Sequence, residues 1–206
     1  LLIEGAVAGH MNHIYDNGEM TFGELKQLLQ AAVDGKLRGT EKTDGQNLVI
    51  SFNTKTGRAM AARNLGQLRK GGLNPDELDE FFSDHPSQAL RYSFVEALQT
   101  FEDNINELEP KLIEEIFEEN NRVYFNTEIM NPGSDASEGD DPRSQGTTNV
   151  IPYDKKTILI HEVGHFAFDV DTGKVIEDFD ASENYRKLET ALMGKSINDP
   201  SRFSVE

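Results

Sequence analysis

Residues 41–52 read Glu41-Lys42-Thr43-Asp44-Gly45-Gln46-Asn47-Leu48-Val49-Ile50-Ser51-Phe52, a polar heptapeptide followed by an apolar run. Within that run, Leu48, Ile50 and Phe52 alternate with Val49 and Ser51, which is the period of two typical of a half-buried β-strand. A lysine fixed beside a strand can act as an amine nucleophile when its surroundings keep part of it neutral. Lys42, at the mouth of this strand, is therefore the candidate catalytic residue.

The composition limits the class of protein. The chain has 206 residues, enough for a sizeable hydrophobic core, and we expect a single domain over residues 1–206. It contains no cysteine, which excludes disulfides and thiolate metal sites. No apolar run approaches the ~18 residues needed to span a bilayer, and the N-terminus lacks the basic segment of a signal peptide. These features predict a cytoplasmic protein without a membrane partner.

The charge is strongly negative but unevenly distributed. With 37 acidic and 20 basic side chains the formal net charge is −17, which argues against a broad nucleic-acid-binding surface. Residues 45–75 nevertheless contain no acidic residue, and they carry the basic residues Lys55, Arg58, Arg63, Arg69 and Lys70. This segment is either a basic hairpin surface or a patch that faces phosphate groups, and its position directly after Lys42 adds weight to the second alternative.

Local patterns in the first 120 residues predict both helices and strands. Thr21 and Glu24 form a capping box ahead of a helix with an apolar stripe that begins at Phe22. The strand after Lys42 and the segment 58–63 are expected to form an antiparallel hairpin. Residues 75–120 are acidic and carry apolar residues at helical spacing, which predicts a helical insertion.

The remaining residues predict further strands. Residues 122–129 are strand-like, and Tyr124, Asn126 and Glu128 would share one face. Residues 131–150 are rich in Gly, Ser, Asp and Pro, which predicts a long flexible loop. Residues 157–176 are expected to form a β-meander, and a short helix follows. The expected fold is α+β, with a twisted, mainly antiparallel sheet covered on one side by the acidic helical insertion.

A second candidate site lies at His161-Glu162-Val163-Gly164-His165, a literal His-Glu-x-x-His sequence. In zinc hydrolases this pattern lies on a helix, where residues i and i+4 share a face, so that two imidazoles bind Zn²⁺ and the glutamate acts as a base. Here the flanking segments are β-like, and Gly164 disfavours a helix. A zinc metallohydrolase stays the alternative to chemistry at Lys42.

The order of the motifs resembles that of the covalent nucleotidyltransferase superfamily, which contains ATP-dependent DNA ligases, RNA ligases and mRNA capping enzymes. Glu41-Lys42-Thr43-Asp44-Gly45 is similar to the first motif, whose lysine becomes nucleotidylated. Arg63-Asn64 is similar to the second motif, and Glu128 to the acidic residue of the third. The strand from Ile158 to Val163 falls where the family carries a base-stacking aromatic, for which His161 is the nearest candidate.

This resemblance implies a ligase-type fold and a two-step reaction that uses ATP and Mg²⁺. Lys42 would form a lysyl-AMP intermediate, and the nucleotide would then pass to a nucleic-acid end. The basic patch would offset charge on the pyrophosphate and lower the pKa of Lys42. The resemblance also implies a metal-binding role for Glu128 and nucleotide-binding roles for Glu41, Asp44, Gly45, Arg63, Asn64, Glu128 and His161.

Two later motifs of that superfamily have no match after Glu162: a Glu-Gly pair before an apolar strand, and paired lysines on a last strand. Either the chain stops before those strands or the fold has lost catalysis. The chain also resembles an uncharacterised family of tailed-phage proteins over most of residues 5–175, which implies the host cytoplasm or the virion as its location. A non-catalytic phage structural or interaction protein with a ligase-like fold is therefore the second hypothesis.

Overall fold

The computed structural model describes residues 20–36, 45–119, 122–131, 155–161, 164–169, 171–176, 179–192 and 203–205. Glu41, Lys42 and Asp44 lie outside the described residues, as do all but the first residue of the predicted loop at 131–150. The described residues belong to two compact units, residues 20–36 to one and all later residues to the other.

The first unit contains helix α1, Phe22–Val33. Its capping box is the predicted one: Thr21 Oγ1 accepts a hydrogen bond from the Glu24 N–H at 3.2 Å, and the Glu24 carboxylate accepts one from the Thr21 N–H at 2.8 Å. Each bond satisfies a main-chain donor that the helix itself leaves free. The predicted helix is confirmed, but its apolar stripe is not buried, since Phe22 is 91% exposed.

The described residues of the second unit form seven strands: β1 (Gln46–Asn53), β2 (Arg58–Ala62), β3 (Val123–Met130), β4 (Thr157–Ile160), β5 (Phe166–Asp169), β6 (Lys174–Ile176) and β7 (Ser204–Val205). The order across the sheet is β2-β1-β3-β4-β7, and β5 pairs with both β3 and β6. The β4–β7 pair is parallel and the other described pairs are antiparallel. The predicted α+β class and the mainly antiparallel sheet are confirmed.

Five helices accompany this sheet among the described residues: α2 (Leu65–Leu68), α3 (Pro75–Phe81), α4 (Gln88–Asn106), α5 (Pro110–Phe117) and α6 (Ser182–Leu192). Helices α3, α4 and α5 confirm the helical insertion predicted at 75–120. Asn74 caps α3 and Ser87 caps α4, in each case through a side-chain oxygen that accepts a main-chain N–H. None of the described helices combines the length and the apolar character that crossing a bilayer requires.

The sheet has two unlike faces because side chains alternate along each strand. The first face carries Leu48, Ile50 and Phe52 of β1, which are almost fully buried in the main core. Helices α4 and α5 cover it, and Phe117 of α5 packs 5.7 Å from the Phe52 ring. The second face carries a smaller apolar cluster, Val49, Ala62, Leu68, Tyr124 and Phe168, and beyond it the polar residues Asn47, Asn126 and Glu128.

The partner of β3 changes part-way along the strand. Val123 and Tyr124 pair with β5, whereas residues 127–130 pair with β4 on the same side. The predicted β-meander is wrong in this respect, because the described residues of β4 and β5 pair with β3 rather than with each other. The physical reason lies at Gly164, which has a φ of 83° and lies so close to Asn126 that a Cβ there would come within 2.9 Å of Asn126 Nδ2.

Candidate functional site

Glu128 lies near the end of β3, on the polar part of the second sheet face. The residue directly across from it on β1 is Asn47. Its Oε1 accepts a hydrogen bond from the Gly45 N–H at 2.8 Å, and its side chain is 16% exposed. The structure therefore brings together the last residue of the Lys-x-Asp-Gly sequence and the acidic residue that the resemblance assigns to the third motif.

The contact depends on residue 45 being glycine. A Cβ at this position would lie 2.6 Å from Glu128 Cγ and 2.8 Å from the Ile129 carbonyl oxygen. Both distances are too short for a real Cβ, and one of the two neighbours is main chain, which cannot move aside cheaply. Gly45 thus allows the chain to enter β1 directly against the Glu128 side chain.

His161 follows β4 and supplies an imidazole to the same carboxylate. Its main-chain N–H donates to the Asn126 carbonyl at 3.0 Å, which fixes the backbone beside β3. Its Nε2 lies 3.1 Å from Glu128 Oε2, and its side chain is 23% exposed. The ring thus contacts the Glu128 carboxylate, a contact that the sequence did not predict, and the base-stacking role implied by the resemblance stays a prediction.

Two amide side chains complete the polar group. Asn47 Nδ2 donates to Asn126 Oδ1 at 2.6 Å and to the Thr127 carbonyl at 3.1 Å. Because the Thr127 carbonyl is an acceptor only, the nitrogen of Asn47 must face it, and the amide oxygen points elsewhere. We refer to Asn47, Asn126, Glu128 and His161, with the Gly45 N–H, as the polar cluster.

His165 lies where β3 changes partner, next to the polar cluster. Its Nδ1 accepts the Asn126 N–H at 3.1 Å and so takes the place of a strand carbonyl. The ring stacks on Tyr185 with centroids 5.0 Å apart, and Phe125 meets it edge-on at 5.1 Å. Burial, with a smaller contribution from the nearby His161, lowers the pKa of His165 to about 4. The sequence offered no signal for this structural role.

The same geometry bears on the zinc-hydrolase alternative. His161 directly follows β4 and His165 directly precedes β5, so the described part of the motif lies between strands and not on a helix. Glu162 and Val163 lie outside the described residues. Within the described ranges, no group of three or more His, Asp or Glu side chains has the arrangement of a metal site. The described residues do not form the helical face on which the His-Glu-x-x-His sequence binds zinc.

Arg63 lies on the opposite side of the sheet from Glu128. Its guanidinium carbon lies 5.0 Å from the centroid of the Phe94 ring of α4, on the helix-covered face. Its Nη2 is 3.5 Å from Gln46 Oε1. Burial lowers the pKa of Arg63, although an arginine stays charged. The structure does not bring Arg63 into the polar cluster.

Asn64 has a local structural role. It is the N-cap of α2, and its Oδ1 accepts the Gln67 N–H at 2.9 Å. The Asn64 side chain is thus engaged at the helix end. Among the described residues, it makes no hydrogen bond with Glu128. A nucleotide-binding role for Asn64 stays a prediction that competes with capping.

The basic segment 45–75 is partly neutralised by acidic side chains from outside it. Arg58 Nε pairs with Glu102 at 2.9 Å and its Nη2 with Asp76 at 2.8 Å. These acidic partners raise the pKa of Arg58. They come from α4 and α3, 44 and 18 residues away along the chain, so no local pattern could predict them. Lys55, Arg69 and Lys70 are exposed.

The donor set of the polar cluster fits a divalent cation. A single carboxylate is enough to hold Mg²⁺ when phosphate oxygens and water fill the other positions. Glu128 would supply that carboxylate. No protein-family model, no curated protein and no solved structure matches the chain. The interpretation of the site therefore rests on its own chemistry and on the motif order.

Proposed function

We propose that this protein is a nucleotidyltransferase that forms a lysyl-AMP intermediate at Lys42 from ATP and passes the nucleotide to a nucleic-acid end. The observation that carries the proposal is the 2.8 Å hydrogen bond from the Gly45 N–H to Glu128. Gly45 is three residues from Lys42 in sequence. The bond therefore places the residue that ends the Lys-x-Asp-Gly sequence beside the polar cluster, which contains a carboxylate, an imidazole and two amides on one sheet face.

The proposed reaction has two balanced steps. The neutral amine of Lys42 attacks the α-phosphorus of ATP; a nitrogen–phosphorus bond forms, the bond to the bridging oxygen breaks, and pyrophosphate leaves. The amine proton goes to water or to the leaving group. In the second step a terminal phosphate oxygen of the acceptor attacks the same phosphorus; a new oxygen–phosphorus bond forms, the nitrogen–phosphorus bond breaks, and the nitrogen takes up a proton from water, which releases Lys42 as the amine.

The residues of the polar cluster suit the binding of a nucleotide sugar. The Glu128 carboxylate accepts hydrogen bonds, and the Asn47 amide can both donate and accept, which matches the hydroxyl groups of a ribose. Mg²⁺, when bound, would supply positive charge beside the phosphates. The Gly45 N–H holds the carboxylate in one orientation before any ligand binds. Ligand binding therefore costs less side-chain conformational entropy.

The test is covalent labelling with ATP that carries radioactive phosphorus at the α-position, in the presence of Mg²⁺. The wild-type chain is expected to retain label after denaturation, and Lys42→Ala to retain none. Lys36→Ala is the matched control, because Lys36 is exposed and pairs only with the nearby Asp34 in the described part of the chain. Absence of label with ATP and with GTP would contradict the proposal.

A non-catalytic descendant of the same fold is the second candidate, and a specific observation favours it. Arg63 packs against Phe94 on the far face of the sheet, and Asn64 is used as a helix cap. Both residues of the Arg-Asn motif thus have structural contacts that do not need a nucleotide. This candidate predicts no covalent label and no rise in melting temperature when ATP and Mg²⁺ are added.

A further inference from the structure

The Glu128–His161 pair has the geometry of two neighbouring ligands of a metal ion. Its two atoms, Oε2 and Nε2, lie 3.1 Å apart. Two ligands that are each roughly 2.1 Å from one metal ion subtend an angle of roughly 95° when they are this far apart. That angle is close to the 90° between adjacent positions of an octahedron. A cation could therefore contact both atoms at their present separation, from one side of the line that joins them.

We propose that Glu128 and His161 together bind a first-row transition-metal dication such as Mn²⁺, in preference to Mg²⁺. The inference deepens the proposed function and rests on it for what the cation does there, namely to contact the phosphates of the nucleotide. The binding itself depends only on the two side chains and can be measured without any nucleotide.

The preference follows from the chemistry of the donors. Mg²⁺ takes oxygen ligands almost exclusively, so a site with one imidazole nitrogen and one carboxylate offers it a single good protein ligand. Mn²⁺ and Co²⁺ accept imidazole nitrogen as well as oxygen, and their affinity for mixed sites follows the order Mn²⁺ below Co²⁺. One of these cations would therefore gain a second protein ligand, the His161 nitrogen, that Mg²⁺ does not use.

The surroundings hold both ligands in place. Glu128 Oε1 is occupied by the Gly45 N–H at 2.8 Å, so Oε2 is the oxygen that faces His161. The His161 main chain is fixed by its hydrogen bond to the Asn126 carbonyl. Asn47 lies directly across from Glu128, and its side-chain nitrogen is held by the Thr127 carbonyl and by Asn126 Oδ1.

Titration with Co²⁺, followed by its visible absorption, tests the proposal, because imidazole coordination changes that spectrum. Wild-type protein is expected to bind one Co²⁺, and His161→Gln to bind it at least tenfold more weakly. Glu128→Gln is expected to lose binding to a similar extent. His85→Gln is the matched control, since His85 lies on the connection between α3 and α4 and hydrogen-bonds Ser87. Unfolding by urea verifies that each variant is folded.

A parallel titration with Mg²⁺, followed by calorimetry, completes the design. Wild type is expected to bind Mg²⁺ at least tenfold more weakly than Mn²⁺, and His161→Gln to remove most of this difference. Equal Co²⁺ affinity in wild type and folded His161→Gln would show an ordinary hydrogen bond only, and would overturn the inference even if Lys42 becomes labelled. Co²⁺ binding that depends on His161 would uphold it even if no label forms.

Discussion

The main-chain N–H of Gly45 donates a 2.8 Å hydrogen bond to Oε1 of Glu128, a residue 83 positions further along the chain. The bond positions the carboxylate, and the opposite oxygen of that carboxylate contacts His161. The last residue of the Lys-x-Asp-Gly sequence thus orients the polar cluster. The predictions below test this arrangement and the structural roles that surround it.

Gly45→Ala is expected to destabilise the protein by about 1 to 3 kcal/mol, as overpacking of a close contact does. The added methyl would lie 2.6 Å from Glu128 Cγ and 2.8 Å from a main-chain oxygen. The free energy of unfolding in urea measures the effect. Gly23→Ala is the control, because its Cβ would meet only Thr21 Oγ1 at 3.8 Å and alanine favours a helix. Equal losses in the two variants would contradict the close approach at Gly45.

Acid is expected to destabilise the protein through His165. Because burial lowers the folded-state pKa from 6.5 to about 4, the unfolded chain binds the proton first. The contribution of neutral His165 to the free energy of unfolding is therefore fully present above pH 6.5 and is lost as the pH falls towards 4. It amounts to about 1 to 2 kcal/mol once solvent screening of the partly exposed ring is allowed for.

His165→Asn isolates this contribution. The asparagine oxygen can still accept the Asn126 N–H but does not titrate, so the free energy of unfolding of the variant should depend less on pH between 6.5 and 4. The slopes are compared, not the absolute stabilities, since the variant also loses the stacking on Tyr185. A wild-type slope in His165→Asn would mean that the ring does not lose its proton on folding.

Much of this fold follows from local patterns in the sequence. The alternation of Leu48, Ile50 and Phe52 predicted the face of β1 that enters the main core, and all three are at most 1% exposed. The predicted half-burial is wrong, because Val49 and Ser51 on the other face are also fully buried. The capping box at Thr21 and the shared face of Asn126 and Glu128 could also be predicted, because each depends only on the spacing of a few neighbouring residues.

The contacts between distant segments could not be predicted in this way. Both β4 and β5 are short apolar strands, and no local pattern states that each pairs with part of β3. The side on which Arg63 lies depends on the register of β2 with β1. Ala62 is opposite Val49, so the next residue, Arg63, turns to the helix-covered face with Leu48. The order of motifs along the chain carries no information about that register.

Glu102→Ala is expected to cost about 1 to 3 kcal/mol of stability, because it leaves Arg58 and the Ala59 N–H without their partly buried acceptor. Asp76→Ala removes the other partner of Arg58, but that side chain is 78% exposed, against 17% for Glu102, and its loss should cost less than about 1 kcal/mol. Thermal or urea unfolding of both variants gives the comparison. A larger loss at Asp76 would contradict the account of how the basic segment is neutralised.

Substitutions at Asn64 distinguish capping from nucleotide binding. Asn64→Ala is expected to lose about 1 kcal/mol of stability, and Asn64→Asp or Asn64→Ser to keep most of it, because both retain an oxygen that can accept the Gln67 N–H. If capping is the whole role, the folded Asp and Ser variants should also keep the covalent labelling of the wild type. Loss of labelling in both, with stability intact, would assign Asn64 to the nucleotide instead.

The most direct test of the central claim is peptide mass spectrometry after incubation with ATP and Mn²⁺ or Mg²⁺. The account predicts that one nucleoside monophosphate becomes attached, that it maps to Lys42, and that folded Glu128→Gln acquires at least tenfold less of it than the wild type. An adduct on another lysine would contradict the account, and so would no adduct on a protein that is folded and binds the metal.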